Sequence, residues 1–476
     1  MRFSYFIFLM TVGLTVSSLT LGSTLKLPDI GDSARANLPL DIEQRYGDSI
    51  MRQLRRQTPL LYDPLLEQYI DNLAFHLVSN NQNTGQRKFD FFIVNNPQIN
   101  AFALPGGYIG IHSGLIGMAQ NESELASVIS HEIAHVTQLH IARRIEQASE
   151  LNLPSIAAML ASIAIATQNP EAGLAALQAS QAGLTQVMLN HSRAHEHEAD
   201  RVGIQTLARA GYDSYAAATF FEKLINDQKF VNKPPPFLST HPVSQLRVAD
   251  ARARAANYPQ GQPTLNQDFH LMRARVLLLS MNKHEALNFF RNLHQQHPDD
   301  TSRLYGYALA LLKNEQYAQA DKVISRLTND YKDNLTFKLL AIESLQAQRQ
   351  HKEAIKRLEN LLSLYPANHS IIMLLARNAI DAGQPDKAAT LLRKHVHRHP
   401  ENLQVYSYFS EALGKAGYEA EMHEALAEQK ALVGDYEGAI EQLTIGLKKN
   451  NQFYTRERMS ARIQQLRQQQ QLEKSL

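Results

Sequence analysis

"HEIAHVTQLH", residues 131–140, puts three histidines and one glutamate into ten positions. The patterning of "NESELASVIS" before it is helical, and Asn121 with Glu124 three residues on reads as a capping box at the helix start. The long helix expected here runs through to "IARRIEQ". His131 and His135 then lie one turn apart on one face, and each offers an imidazole nitrogen to the same ion. Glu132, beside the first histidine, can hydrogen-bond a water held by that ion without being a ligand. A zinc ion lowers the pKa of such a water to ~7, and a glutamate so placed accepts its proton. A hydrolytic zinc site needs a third protein ligand and keeps its fourth position open.

His140 is the nearest candidate for that third ligand. It stands five residues past His135, about 140° round a continuous helix, and is expected to face solvent instead. A second helix, "HSRAHEHEADRVGIQTLARAGY" from His191, supplies a better one. Glu196 and Asp200 are four apart and share a face. Glu196 completes a His₂Glu set, and Asp200 one turn later can orient a ligand histidine by accepting from its other nitrogen. His195, His197 and Glu198 are rivals; Glu196 ranks first because only it has Asp200 one turn on. Acidic residues also suit a helix start for purely electrostatic reasons, and it is the upstream H-E-x-x-H that favours a metal.

Composition bounds the rest. The chain has 476 residues, a formal net charge of +2 and no long basic run, so nucleic acid is not expected as a partner. There is no cysteine, which excludes thiolate metal sites, a thiol nucleophile and disulfides. Arg2, the uncharged apolar run Tyr5–Leu21 and the small residues Gly22 and Ser23 have the order of a cleaved secretory signal over 1–23. The mature protein is therefore expected outside the cytoplasm. Residues 151–190 contain a single charged residue, Glu171. Interspersed Gln, Asn, Ser and Thr, with Pro154 and Pro170, favour a soluble helical hairpin near the active site that touches a membrane at most peripherally.

Two prolines and a glycine in "NYPQGQPTLNQ" mark a linker over 257–267 between a domain at 24–256 and a repeat array at 268–455. Ala286, Ala320, Ala354 and Ala388 are each 34 residues apart, and Pro298, Pro366 and Pro400 fall on the same spacing, with Lys332 at the skipped place. Ala274, Ala308 and Ala376 repeat at 34 or its double. Small residues let paired helices approach and proline stops the second one, so the array reads as tetratricopeptide repeats. "YEGAIEQL" sets Ala439 51 residues after Ala388, implying an inserted helix. A polar tail over 456–476 is expected to end the array as a solvated helix. Because each repeat touches mainly its neighbours, the array is expected to fold on its own. The first domain is mainly helical, with strand character at "KFDFFIV" and "YIGIHSG" and a strand or turn at "NAFALPGG".

H-E-x-x-H followed by E-x-x-A-D, with "NAFALPGG" upstream, resembles the gluzincin metallopeptidases related to the CAAX prenyl proteases and the HtpX heat-shock protease. The expected fold class is thus mainly α: a gluzincin-type domain with a small β-sheet, followed by an α-solenoid. A signal segment and a repeat array resemble the periplasmic members of that group in Gram-negative bacteria. The resemblance implies one Zn²⁺ per chain on His131, His135 and Glu196, and Glu132 as the base. It also implies misassembled outer-membrane proteins as clients and the outer-membrane β-barrel assembly machinery as a partner of the repeats. "PPPFLSTHPVSQLRVADARAR" adds His241 and Arg247 after a proline-stiffened loop. His241 is expected either to stabilise an oxyanion or to fill the open zinc position and shut the enzyme off. Arg247 is counted with His241, Asp200 and Glu132 among the candidate catalytic residues; without that role it reads as one half of a surface ion pair.

Overall fold

The computed structural model describes residues 38–147, 182–228, 235–259, 267–449 and 452–475. The signal segment, most of the hairpin expected over 151–190 and the centre of the linker lie outside the described residues. Helix α1 (Leu40–Gln57) turns Tyr46, Ile50, Met51 and Leu54 inward. Helix α2 (Pro64–Asn80) starts with proline at N1, and the Asp63 carboxylate accepts from the backbone N–H groups of Leu65 and Leu66. Three strands follow: β1 (Asp90–Val94), β2 (Ala101–Ala103) and β3 (Tyr108–His112). Their order is β1-β3-β2, parallel between β1 and β3 and antiparallel between β2 and β3. The Pro105–Gly107 turn between β2 and β3 needs its glycines. Gly107 has φ +80°, and a Cβ there would stand 1.9 Å from the Lys88 carbonyl oxygen.

A short α3 (Ser113–Met118) leads to α4 (Glu122–Thr137), which is buried on every side. The Asn121 side chain accepts from the Glu124 N–H at 3.0 Å, and the Glu124 carboxylate reaches back to the N–H of Gln120. That is a capping box displaced by one residue. The single long helix expected through residue 147 does not form. The chain breaks at Gln138 and Leu139, and α5 (His140–Gln147) leaves in a new direction. Leu139 has φ +61°, unfavourable for a branched side chain by roughly 1–2 kcal/mol. Its side chain is buried with Tyr46, Ile50 and Ala142 in a cluster against α1, and burial of a leucine is worth about 1.5–3 kcal/mol. Packing therefore outweighs the backbone cost.

Helix α6 (Ala182–Arg209) crosses α4 and begins earlier than the sequence pattern placed it. Helices α7 (Ala216–Gln228), α8 (Pro236–Thr240) and α9 (Gln245–Ala255) complete this domain. The array follows as helix pairs: α10 (Gln267–Leu279) with α11 (Lys283–Gln296), α12 (Thr301–Lys313) with α13 (Tyr317–Asp330), α14 (Leu335–Ala347) with α15 (His351–Leu364), and α16 (His369–Asp381) with α17 (Pro385–His395). Ala286, Ala320, Ala354 and Ala388 sit on the second helix of each pair and are fully buried. Then come α18 (Leu403–Ala416), α19 (Glu419–Leu432), α20 (Tyr436–Lys449) and α21 (Phe453–Ser475). Two helices thus separate Ala388 from Ala439 where the period allows one. The tail helix α21 is docked rather than solvated, because Met459, Ile463 and Leu466 are buried with Ala439 and Leu443 of α20.

The two domains share an interface and a continuous apolar core, which the local logic of a solenoid did not anticipate. Helix α16 packs on α2, and α10 on α2 and α3. Arg275 of α10 is buried and donates to Asp63 at 2.7 Å and to Glu343 of α14 at 3.1 Å. Arg55 of α1 pairs with Glu401 at 2.8 Å, and Arg52 with Glu473 of the tail helix. Among the described residues no helix is long and apolar enough to cross a membrane.

Candidate active site

The site lies where α4 and α6 cross. Gly203 of α6 permits the close approach, since a Cβ there would be 3.2 Å from the Cα and N of His131. His131 and His135 turn the same way, with their Nε2 atoms 3.0 Å apart. Glu196 faces them, Oε2 at 3.3 Å from His131 Nε2 and Oε1 at 3.4 Å from His135 Nε2. His241, just past α8, completes a buried set of four, its Nδ1 lying 3.4 Å from His131 Nε2 and 3.1 Å from Glu196 Oε1. Convergent imidazole and carboxylate donors of this kind can hold a divalent transition metal. Glu132 is fully buried beside them, and neither of its carboxylate oxygens has a hydrogen-bond partner among the described residues. His241 Nε2 lies 3.4 Å from its Oε1. An orphaned carboxylate next to a metal-ligand set fits a site built to hold a metal and a water.

The model of peptidase family M48 matches residues 64–255, which contain all of these side chains. A tetratricopeptide repeat model matches 345–408, and the model of anaphase-promoting complex, cyclosome, subunit 3 matches 280–361. A putative beta-barrel assembly-enhancing protease of Vibrio cholerae is 38% identical over 88% of this chain and 87% of that protein. The Escherichia coli beta-barrel assembly-enhancing protease is 36% identical over 96% and 94%. The chain belongs to this family of M48 peptidases. It is a metallopeptidase followed by tetratricopeptide repeats, and its family requires a metal. The likeness extends to more distant peptidases: the mitochondrial metalloendopeptidase OMA1 of Bos taurus is 32% identical over 36% of this chain and 34% of that one.

Around the four donors stands a shell that fixes them. Asp200 Oδ1 lies 3.0 Å from His131 Nδ1, leaving Nε2 to face the other three donors. Arg247 lies in α9, on the far side of Asp200, and is 97% buried. Its Nε and Nη2 donate to the two Asp200 oxygens, and its Nη1 approaches Glu196 Oε2 at 3.0 Å and bonds the Pro242 carbonyl. The Phe221 ring lies under the guanidinium, 4.8 Å from centroid to Cζ. A surface ion pair is therefore excluded for Arg247.

His140 is the clearest departure from the sequence reading. The break at Leu139 swings it back, so it is buried, with its Nδ1 2.9 Å from Nδ1 of His135. Its ring stacks on His195 at 4.4 Å, and its Nε2 lies 3.3 Å from Glu198, which also accepts from Arg143. Three of the residues weighed as ligands thus lie behind His135 and outside the donor set, His140 against His135 and both His195 and Glu198 against His140. His197 points away, half-exposed, toward Asp250 at 3.7 Å.

Electrostatics follow from this packing. Burial disfavours a charged His131 ring, but hydrogen bonds with Asp200 and Glu196 outweigh it and push its pKa up to about 10. Burial pushes His135 down against the pull of Glu196, and burial together with His135 lowers His140. Burial would raise Glu196, yet the His241 and His135 rings hold it well below the usual carboxylate range. Asp200 is likewise held low, burial being overcome by its bonds from His131 and Arg247.

Proposed function

We propose that this protein is a periplasmic zinc endopeptidase that degrades misassembled outer-membrane proteins, and that its repeats dock the β-barrel assembly machinery. The observation that carries the catalytic part is the buried Glu132 carboxylate, without a hydrogen bond among the described residues, beside His131, His135 and Glu196. These three residues would hold the zinc, which supplies Lewis acidity to a water and to the scissile carbonyl. Glu132 takes the proton from the attacking water and returns it to the leaving amine. Asp200 fixes the His131 ring, and Arg247 fixes Asp200 and neutralises the acidic pair it forms with Glu196. Among the described residues strand β2 has a partner on one side only, and it packs against α4, which suits an extended peptide substrate that adds a strand. The client class and the compartment rest on the names and bacterial sources of the relatives, together with the signal-like segment 1–23.

A second reading, a scaffold whose peptidase is latent at rest, is favoured by His241. Its Nδ1 faces the ligand set, and its Nε2 faces Glu132. One imidazole there would occupy both the fourth zinc position and the base, which keeps the enzyme silent until the loop after α8 moves. The oxyanion role is the other use of the same ring.

The test is proteolysis of a destabilised outer-membrane protein by wild type and Glu132→Gln. Loss of cleavage in the variant, with client binding retained, supports both roles. Undiminished cleavage would overturn the assignment of the base.

A further inference from the structure

A second histidine cluster begins 122 residues after Arg247 in sequence, where the array meets the first domain. His369 opens α16, His395 closes α17, and His399 follows one helical turn later, its N–H bonded to the His395 carbonyl at 3.1 Å. That turn brings the second and third rings together at a tilt of 43°, 4.5 Å between centroids, and His369 lies 5.0 and 4.4 Å from them. One nitrogen from each ring falls within 4.8 Å of the other two. His369 Nδ1 and His395 Nε2 are 2.9 Å apart, as donors to one ion would be. His369 and His395 are 2% and 1% exposed, while His399 is only half-buried and gives the cluster an opening.

The outward nitrogen of His369 carries the same device seen at the first site. His369 Nε2 faces Glu67 Oε2 of α2 at 3.3 Å, as His131 Nδ1 faces Asp200. Glu67 is held in place by the side-chain amide of Asn402, and the His369 backbone N–H donates to Gln68 at 2.8 Å. A carboxylate behind an imidazole fixes the tautomer and makes the inner nitrogen a better ligand. His395 Nδ1 has no hydrogen-bond partner among the described residues.

We propose that His369, His395 and His399 form a second zinc site, with Glu67 of the peptidase domain as the positioning carboxylate behind His369. Borderline divalent ions favour imidazole donors, and three of them leave a fourth position to water. Because Glu67 reaches across the domain boundary, the ion strengthens the contact between α2 and the array. This inference is independent of the catalytic reading, since no residue is shared.

The experiment uses the full chain without a polyhistidine tag, carrying His131→Ala and His135→Ala to remove the first site. Equilibrium dialysis should find one zinc per chain, with zinc-edge X-ray absorption showing imidazole ligation and zinc raising the Tm. Adding His395→Gln and His399→Gln should abolish the binding and the rise in Tm. Glu67→Gln should keep the site but weaken it about 10–100-fold. No zinc taken up by the first variant, with a native circular dichroism spectrum, would overturn the proposal. So would zinc bound without imidazole ligation, or equal uptake after the further histidine substitutions.

Discussion

Arg247 grips Asp200 with two parallel hydrogen bonds, Nε to Oδ2 at 2.7 Å and Nη2 to Oδ1 at 2.8 Å, while Asp200 holds the back of the His131 ring. Such a fork is a guanidinium property, so Arg247→Lys should not rescue it. Both Arg247→Lys and Arg247→Ala should weaken zinc binding about 10–100-fold in a chelator competition. Unchanged affinity in both would reduce Arg247 to a packing role.

Glu132→Gln should retain zinc and lose hydrolysis, because this carboxylate stands beside the ligands without being one. His135→Ala and Glu196→Ala should lose both. Metal analysis and peptide cleavage on the same preparations separate the cases; full zinc in His135→Ala or Glu196→Ala would show that the ligand set is misassigned.

His241→Ala should raise basal proteolysis and self-cleavage if the ring blocks the site at rest. If it serves the oxyanion instead, kcat should fall, by ~100-fold. The two roles carry opposite signs in one assay, and no change either way would dismiss both.

Arg275 is the buried hinge pin between the domains, satisfying Asp63 and Glu343 together. Removing one member of a buried ionic cluster leaves uncompensated charge and costs about 3–5 kcal/mol. Arg275→Ala should therefore lower the Tm by several degrees, whereas the exposed Arg326→Ala should leave it nearly unchanged. Equal melting of the two variants would contradict the interface described.

Asp71 on α2 is half-buried, and burial beside the Asp90 and Glu67 carboxylates raises its pKa to about 7. An unfolded aspartate titrates near ~3.9, so the native state holds this proton more tightly. Ionisation then opposes folding increasingly as pH rises from about 4 through 7. Asp71→Asn should gain Tm at pH 8 and gain little at pH 4; a gain independent of pH would refute the electrostatic cause.

The grouping of donors where α4 and α6 cross was legible because it follows local periodicity. His131, Glu132 and His135 share one helix, Glu196 and Asp200 another, and alanine every 34 residues marks each repeat. His140 was not, because the turn that redirects it is made by Leu139 with φ +61° rather than by a glycine or proline. Only long-range packing against α1 makes that backbone favourable. Arg275 reads as an ordinary charge in sequence, since its carboxylate partners stand 68 residues or more away, and Arg247, singled out beside His241, could not be matched to Asp200 47 residues before it. His395 and His399 do form a visible pair at helical spacing, but nothing local announces His369.

The contact between Arg52 near the start of the described chain and Glu473 near its end turns an open string of helices into a ring. A ring tolerates a cut. A nick within residues 260–266 would leave two polypeptides that travel as one particle through a sizing column and part only in denaturant. By the same geometry, shortening α21 would release α1 and loosen the wall that holds Leu139 and, through it, His140 behind His135.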